Sequence, residues 1–397
     1  MKAIICGAGI AGLTLAWWLE RDGWQVLLVE QASGPCGGGY MIDFVGSGYD
    51  VAELMGLLPP LRDIHTTNRL ICYIGPADEP RGRLDYDRLA AAFDGRALTF
   101  MRGDLERVLH DALDDRVPVR YATTIDAVDA AAGTVAATLS DGSVEHADLL
   151  VGADGIHSRI RSLVFGPEQP LLRYLGYHTA SYVFTDGQLR TRVGERFLII
   201  AVPGRQVGLY PTNDGRLAAW LIHRAPDPAL PADPQAVLHT TYGDLGDLVR
   251  HTLRHCPPGQ DLYYDQVAQI EMGGWTRGPV TLVGDACQAV SLMAGQGASM
   301  AAGGAYVLAN ELRHGGPAET AAHRYEQRIR PFIRDKQKAG RRTARWLVPT
   351  SQWRITARAL AFSAARLPGM TTLMRPALAA TRASVVPDHA EPARKIH

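Results

Sequence analysis

The 397-residue sequence is short of lysine, of paired cysteines and of long hydrophobic runs. Only four of its 41 basic side chains are lysine. The 41 basic side chains are balanced by 41 acidic ones, so no global field attracts nucleic acid or an anionic membrane. Its five cysteines show no Cys-x-x-Cys spacing, which indicates a reduced, cytoplasmic compartment and no metal site. No uninterrupted apolar run reaches the roughly 18 residues of a membrane span. The length and the 46% apolar content instead favour a globular chain of two domains.

The first thirty residues carry the strongest motif. An apolar strand pattern at residues 2–6 stops at Gly7-Ala-Gly9-Ile-Ala-Gly12, and an apolar helix pattern follows directly. In a dinucleotide site Gly7 supplies the tight turn, Gly9 admits a pyrophosphate against the backbone, and Gly12 lets helix and strand pack closely. A strand at 25–29 then delivers Glu30, whose carboxylate can accept hydrogen bonds from a ribose.

These features predict a dinucleotide site, and the same stretch allows two other interpretations. The first is a glycine-rich turn in an α/β sheet that binds no ligand. A secretory signal is disfavoured by the three glycines, by Glu30 and by the lack of an A-x-A cleavage pattern.

Two further strand patterns end in an acid beside a glycine. Residues 147–152 lead into Asp154 and Gly155, and residues 280–283 lead into Gly284-Asp285. Each could be an ordinary turn. Together with the first motif they predict a long ligand held extended across the edge of one sheet.

Other positions near these motifs are candidates for the same ligand. A helix predicted to begin at Gly297 and Ala298 offers free N–H groups and a positive dipole end to an anion. Arg102 follows a predicted strand and can reach a phosphate, although a surface arginine is the alternative. The glycines at 37–39 suggest backbone close to a flat ligand, or only a mobile loop.

The rest of the chain carries structural signals. The pattern predicts a helix at 50–58 ended by two prolines, a β-rich region at 173–270 without nucleotide motifs, and a helix at 318–342 interrupted at Pro331. The β-rich region is the natural substrate domain. His223 and His251 are interpreted as surface or core histidines and not as a catalytic base.

Over roughly residues 1–340 these motifs resemble the FAD-dependent aromatic monooxygenases of the para-hydroxybenzoate hydroxylase type. The chain looks most like the short subgroup that includes tetracycline-inactivating monooxygenases. The resemblance implies an α/β (α+β) fold with a Rossmann-like FAD-binding domain, a β-sheet substrate domain and C-terminal helices. It places the FAD-binding domain at 1–68, 97–170 and 277–340, the substrate domain at 69–96 and 171–276, and the helical segment at 341–397.

The resemblance also implies roles for single residues. The expected FAD-binding residues are Gly7, Gly9, Ile10, Ala11, Gly12, Glu30, Gln31, Gly39, Arg102, Asp154, Gly155, Asp285, Gly295, Gly297 and Ala298. The expected substrate contacts are Tyr210, Met293 and Ala294, and the candidates beside the flavin ring are Asp43, Leu292 and Met293. Gln288 and Leu292 depart from the family, which often has histidine and proline there, and Leu292 could widen the pocket.

The implied reaction uses NADPH or NADH to reduce FAD, forms a flavin C4a-hydroperoxide with O2, and transfers one oxygen atom to a bulky, polycyclic aromatic or secondary-metabolite substrate. The expected partners are these small molecules, with no nucleic acid, and the chain is expected to be a monomer or dimer. The alternatives are a flavoprotein of the same fold that catalyses dehydrogenation, Baeyer–Villiger oxidation or halogenation, and a non-catalytic flavin- or ligand-binding protein. Halogenation is disfavoured because the Trp-x-Trp-x-Ile-Pro motif is absent.

Overall fold

A computed structural model describes residues 1–35, 39–66, 70–86, 91, 93–131, 133–291, 295–364 and 383–387. The described strands, in chain order, are β1 (Lys2–Cys6), β2 (Gln25–Val29), β3 (Met41–Val45), β4 (Leu70–Ile74), β5 (Pro80–Asp85), β6 (Ala97–Met101), β7 (Val119–Arg120), β8 (Ile125–Ala131), β9 (Thr134–Leu139), β10 (Val144–Ala147), β11 (Leu149–Gly152), β12 (Leu172–Phe184), β13 (Arg196–Val202), β14 (Arg205–Pro211), β15 (Leu217–Arg224), β16 (Tyr263–Ile270), β17 (Thr276–Arg277) and β18 (Val280–Leu282).

The described helices are α1 (Ile10–Arg21), α2 (Ser47–Leu54), α3 (Leu58–Asp63), α4 (Arg102–Asp111), α5 (Arg159–Phe165), α6 (Gly187–Val193), α7 (Pro234–Tyr242), α8 (Asp247–Leu253), α9 (Asp285–Gln288), α10 (Gly297–Arg313), α11 (Ala318–Leu347) and α12 (Gln352–Ala364), with one 3-10 turn at Gly259–Asp261. The chain is therefore a mixed α/β protein, as the sequence predicts. None of these helices combines the length and the apolar character that crossing a membrane requires.

The first sheet has six strands in the order β17-β18-β11-β1-β2-β7, and all but the edge strand β17 run parallel. In the register, Cys6 lies opposite both Val29 and Gly152, and Gly152 lies opposite Leu282. The carboxyl ends of four strands therefore reach the same level. The chain order reverses across β1, and such a switch point is where open α/β sheets bind ligands.

Helix α1 lies buried between this sheet and α10, because all its residues from Ile10 to Leu19 are small, apolar or aromatic and are buried. Trp18 in α1 contacts Tyr306 in α10 edge to face, with ring centroids 5.3 Å apart. Such a contact contributes about 0.5–1.5 kcal/mol beyond the area it buries. The packing fixes the start of α1 beside the end of β1.

The second large sheet has seven strands in the order β16-β12-β15-β14-β13-β4-β5. Its pairs are antiparallel except for β13 with β4. Alternate side chains of β14 face opposite ways: Leu209 packs in the core beneath α6, α7 and α8, whereas Tyr210 packs with Met101 on the other face. The second face is therefore turned toward Met101 at the end of β6, which pairs with β3 in a separate two-stranded sheet.

Two helix predictions were wrong, and both errors concern proline. The two prolines at 59 and 60 lie in the first turn of α3, where a missing N–H costs nothing, and α2 had already ended at Leu54. Pro331 lies inside the continuous helix α11. Buried Ile329 and Ile333 hold that helix against the core on both sides of the proline.

Candidate functional site

A cavity of about 770 Å³ opens at the carboxyl ends of β1, β2 and β11 and extends to the seven-stranded sheet. Its volume lies within the range of small-molecule sites. Of the residues expected to bind FAD, the following line it: Gly7, Gly9, Ile10, Ala11, Glu30, Gln31, Arg102, Asp154, Gly155, Asp285, Gly295, Gly297 and Ala298. Parallel register explains the convergence of the residues that follow β1, β2, β11 and β18. Arg102 instead follows β6, and Gly295, Gly297 and Ala298 lie at or just before the start of α10.

Gly12 and Gly39 lie outside the cavity lining, and the structure gives both a part in packing. A Cβ atom on Gly12 would lie 1.9 Å from the carbonyl oxygen of Gly7, so only glycine lets α1 start this close to the turn. Gly39 has a φ of 121°, and a Cβ there would press on Arg102 at 3.2 Å. Gly39 thus makes room for Arg102.

Gly7 and Gly9 meet different demands. Gly7 has a φ of 107°, and its Cβ would lie 2.5 Å from the carbonyl oxygen of Ala153 on the neighbouring strand end. A Cβ on Gly9 would instead face the cavity, 3.5 Å from Glu106 Oε1 and 3.8 Å from an Arg102 nitrogen. Gly9 therefore leaves its backbone open toward the cavity, and its contact with a pyrophosphate stays a prediction.

Glu30 fixes the glycine turn through its carboxylate. The backbone N–H of Ala8 donates to Oε2 and that of Ala32 donates to Oε1, each with an N···O distance of 2.8 Å. Each carboxylate oxygen keeps one further lone pair, so the group can also accept hydrogen bonds from ribose hydroxyls. The dual use of this side chain could not be predicted from its spacing alone.

Arg102 lies at the first position of α4 and forms an ion pair across one helical turn. Its Nε donates to Glu106 Oε1 at 3.0 Å, and Glu106 itself is buried. Burial raises the pKa of Glu106, while the charge of Arg102 lowers it. The tyrosine rings of Tyr40 and Tyr263 stand 5.7 Å apart beside this pair and also line the cavity. Sequence reasoning missed Glu106, although its i, i+4 spacing from Arg102 was a usable signal.

Asp154 and Asp285 differ in their surroundings. Asp154 Oδ1 accepts from Ser158 Oγ at 2.6 Å, and Oδ2 accepts from the N–H of Ile160 at 3.0 Å, so it braces the turn into α5. Asp285 faces the cavity at the start of α9. Burial raises the pKa of both carboxyls, and for Asp285 the charge of Arg102 opposes the shift.

A charged cluster that was not predicted from the sequence lies beside Asp154. His157 Nδ1 lies 3.0 Å from Glu168 Oε1, and its Nε2 lies 3.1 Å from Asp265 Oδ1. Glu168 also accepts from the fully buried Arg161 at 2.6 Å. The hydrogen bonds that His157 donates to Asp265 and then to Glu168, opposed by burial, raise the pKa of His157 to about 9. His157 and Asp265 both line the cavity.

This shift makes the stability of the protein pH-dependent. Because the pKa of His157 in the folded state, about 9, exceeds its ordinary 6.5, the stabilisation is complete below pH 6.5 and is lost as pH rises through 9. For a half-exposed ion pair screened by solvent we expect about 1 kcal/mol. Thermal melts of wild type and His157→Gln should therefore converge at alkaline pH. An equal difference at every pH would contradict this, and His239→Gln, at an exposed histidine, is the control.

The far end of the cavity joins Asp43 on β3 to aromatic residues of the seven-stranded sheet. Asp43 lies opposite Thr99 in the β3–β6 pair and accepts from its Oγ1 at 2.7 Å. Burial raises the pKa of Asp43, and the hydrogen bond from Thr99 lowers it. Tyr210, an expected substrate contact, lines this end with Phe197, and its Oη accepts from the N–H of Met41 at 2.9 Å.

The expected contacts Leu292, Met293 and Ala294 lie outside the described residues. Gln288, which departs from the family pattern, is buried and is not among the residues lining the cavity. Its Nε2 donates to Tyr325 Oη at 2.5 Å, and Tyr325 donates to the carbonyl oxygen of Leu282 at 3.0 Å. Gln288 therefore acts as a core hydrogen-bond donor that joins α9 to α11.

The donor set fits FAD. No described side chain caps the N-terminus of α1 or of α10, so backbone N–H groups at both helix starts remain available to anionic ligand groups. Gly9 leaves a cradle that a Cβ would enter, and Arg102 adds a positive charge. The fold and this site together define a flavin nucleotide-binding α/β protein.

Comparison with known proteins agrees with this class. The family described as "FAD binding domain" matches residues 1–336, and the chain belongs to that family. It is accordingly a flavin-dependent monooxygenase that uses FAD.

Individual relatives cover most of both chains. A flavin-dependent monooxygenase from an unknown prokaryotic organism is 28% identical over 349 residues, which are 86% of this chain and 88% of that protein. The FAD-dependent monooxygenase asL4 of Sarocladium schorii is 26% identical over 398 residues, or 90% of each chain. The crystal structure of the tetracycline destructase Tet(51) is 26% identical, covers 91% of this chain and 96% of its own, and superposes with a TM-score of 0.77.

Proposed function

We propose that this enzyme uses NADPH or NADH to insert one atom of O2 into a bulky, polycyclic aromatic or secondary-metabolite substrate. The observation that carries the proposal is that one continuous cavity joins the polar strand ends at Gly9 and Arg102 to the aromatic face at Phe197, Tyr210 and Trp220. One end suits the nucleotide and the other suits an apolar reactant.

In this proposal the protein places each part of FAD by a different device. The turn at Gly9 and the start of α1 receive the diphosphate, Glu30 accepts from the ribose, and Arg102 neutralises phosphate charge. The start of α10 at Gly297 faces the ring, where its N–H groups favour the negative charge of the reduced form. FAD, when bound, supplies the redox and oxygen chemistry.

We further propose that two units share the work. Segments 1–68, 97–170 and 277–340 form the FAD-binding unit, segments 69–96 and 171–276 the substrate unit, and 341–397 a helical addition. The placement of β4 and β5 at one edge of the seven-stranded sheet supports assigning 69–96 to the substrate unit.

The aromatic lining at the far end of the cavity supports a multi-ring substrate. Flat aromatic side chains from β13, β14 and β15 offer stacking faces, and Asp43 with Thr99 offers a polar contact at the rim of the same region. Asp43 lines the cavity, so its carboxylate can accept a hydrogen bond from a phenol hydroxyl there. The similarity to the tetracycline destructase Tet(51) agrees with a substrate of several fused rings.

The test is NADPH oxidation with and without candidate substrates, with O2 uptake and peroxide followed in parallel. A fused-ring phenol should raise the NADPH oxidation rate several-fold and keep peroxide low, whereas a single-ring phenol should give little stimulation. Product formation without O2 would indicate a dehydrogenase. FAD retention without NADPH or NADH oxidation, over a broad substrate panel, would indicate a binding protein.

A further inference from the structure

A second cluster of ligand-type side chains lies on the opposite side of the seven-stranded sheet from the cavity. It consists of Asp186, which precedes α6, and of His251 and His255, which lie on and just beyond α8. One ligand atom from each of the three lies within 4.8 Å of the others. None of the three lines the cavity, so the cluster is separate from the flavin site.

The two imidazoles converge on one atom. Nε2 of His251 and Nε2 of His255 each lie 2.9 Å from the same carboxylate oxygen, Asp186 Oδ2. An ordinary ion pair needs one such contact. Two imidazole nitrogens and one carboxylate oxygen within 4.8 Å of one another match the donor types of a three-ligand zinc set with a fourth position for water.

The spacing requires only a small expansion to admit a metal. Zinc–nitrogen and zinc–oxygen bonds of about 2.0–2.2 Å in tetrahedral geometry place the ligand atoms roughly 3.3–3.5 Å apart. The observed 2.9 Å contacts must therefore open by about half an ångström. Both histidines and Asp186 retain partial solvent exposure, so the side chains have room to move and a cation has a path to them.

Neighbouring groups hold each ligand in place. Asp186 Oδ1 accepts from the N–H of Leu189 at 2.8 Å, which leaves Oδ2 facing the histidines. The ring of His255 stacks on Phe184 with centroids 4.8 Å apart and planes 14° apart, and the ring of His251 stacks on His255. Such support orients ligands before the metal arrives.

Nearby cations are paired with other groups. Arg250 donates to Asp247, and Arg190 donates to Glu195 and to the carbonyl oxygen of Gly194. Within the described residues, neither arginine makes an ion pair with Asp186. The site thus keeps its carboxylate for the histidines.

We propose that Asp186, His251 and His255 bind a divalent transition metal of the zinc type through Oδ2 and the two Nε2 atoms. The metal joins the segment before α6 to the end of α8 and so fastens the helical layer to the sheet. Both Nε2 atoms give up their protons to become ligands, so binding weakens at acid pH.

The test is a titration of tag-free, FAD-loaded, full-length protein with ZnCl2 in competition with a chromophoric chelator. Wild type should bind one Zn²⁺ per chain. His251→Gln and His255→Gln should each weaken binding at least about tenfold, or ~1.4 kcal/mol. Asp186→Asn should weaken it too, while its amide oxygen can still cap α6. The matched control is His239→Gln, which removes an exposed histidine of α7 and should bind like wild type.

Visible flavin absorbance and thermal melts establish that each variant is folded. An anomalous difference peak at the zinc edge, in crystals soaked in ZnCl2, should lie between Asp186 Oδ2 and the two Nε2 atoms. Binding that is unchanged in both histidine variants, or the lack of one-to-one binding in wild type, would overturn the proposal. A zinc peak elsewhere would overturn it as well.

Discussion

Gly12→Ala should destabilise the protein by about 3 kcal/mol or more, at the upper end of what overpacking costs. The added Cβ would lie 1.9 Å from the carbonyl oxygen of Gly7, and that atom belongs to the backbone of the turn itself, so no side chain can move away. The start of α1 must shift, and the N–H groups that we propose as the diphosphate site shift with it. Thermal melts and the FAD content of the purified protein measure both consequences.

Gly9→Ala is the matched control at the neighbouring glycine. Its Cβ would stand 3.5 Å from Glu106 Oε1 in ordinary contact, and the φ of −83° suits alanine. The melting temperature of the FAD-free form should stay close to wild type, whereas FAD affinity should fall at least about tenfold because the methyl group enters the diphosphate position. Equal stability of the two variants would show that the Gly7–Gly12 contact is not a packing constraint.

Arg102→Ala should weaken FAD binding by about 2–3 kcal/mol, because it removes a charge-assisted contact to phosphate. Arg102 is also the ion-pair partner of buried Glu106. Its loss leaves a carboxyl without its partner, so we expect a further cost of about 1–2 kcal/mol in the FAD-free form, less than for a fully buried pair because the arginine is 42% exposed.

The double variant Arg102→Ala/Glu106→Gln separates the two effects. It removes the carboxylate that Arg102 neutralises, so it should recover most of the lost stability while FAD stays weakly bound. Melts of the FAD-free proteins and flavin fluorescence titrations give the two free energies. If the double variant regains FAD affinity, Arg102 serves Glu106 and not the cofactor.

The strand ends and the glycine turn at the site could be predicted because local sequence signals there agree with the fold. Strand, glycine turn and helix start coincide at Gly7, and the parallel register of β1 brings Asp154 to the level of Glu30. A register of this kind follows from strand order, which glycine and acid motifs at three strand ends indicate.

The remainder of the site depends on contacts distant in sequence. His157 contacts Asp265, which lies 108 residues further along the chain. Asp43 contacts Thr99 because β3 pairs with β6, and the glycine-rich sequence before β3 does not indicate this pair. No periodicity encodes such pairings. The departure at Gln288 is likewise explained only by its contact with Tyr325, which turns it into the core and away from the cavity.

The central proposal is that NADPH- or NADH-driven chemistry at this cavity inserts one atom of O2 into a multi-ring substrate. Mass spectrometry of products formed under ¹⁸O2, with the FAD-loaded protein, NADPH and a panel of fused-ring phenols, tests it most directly. We expect a product that carries a single ¹⁸O atom and that fails to form without NADPH. A product whose added oxygen comes from water, or an oxidised product that gains no oxygen, would contradict it.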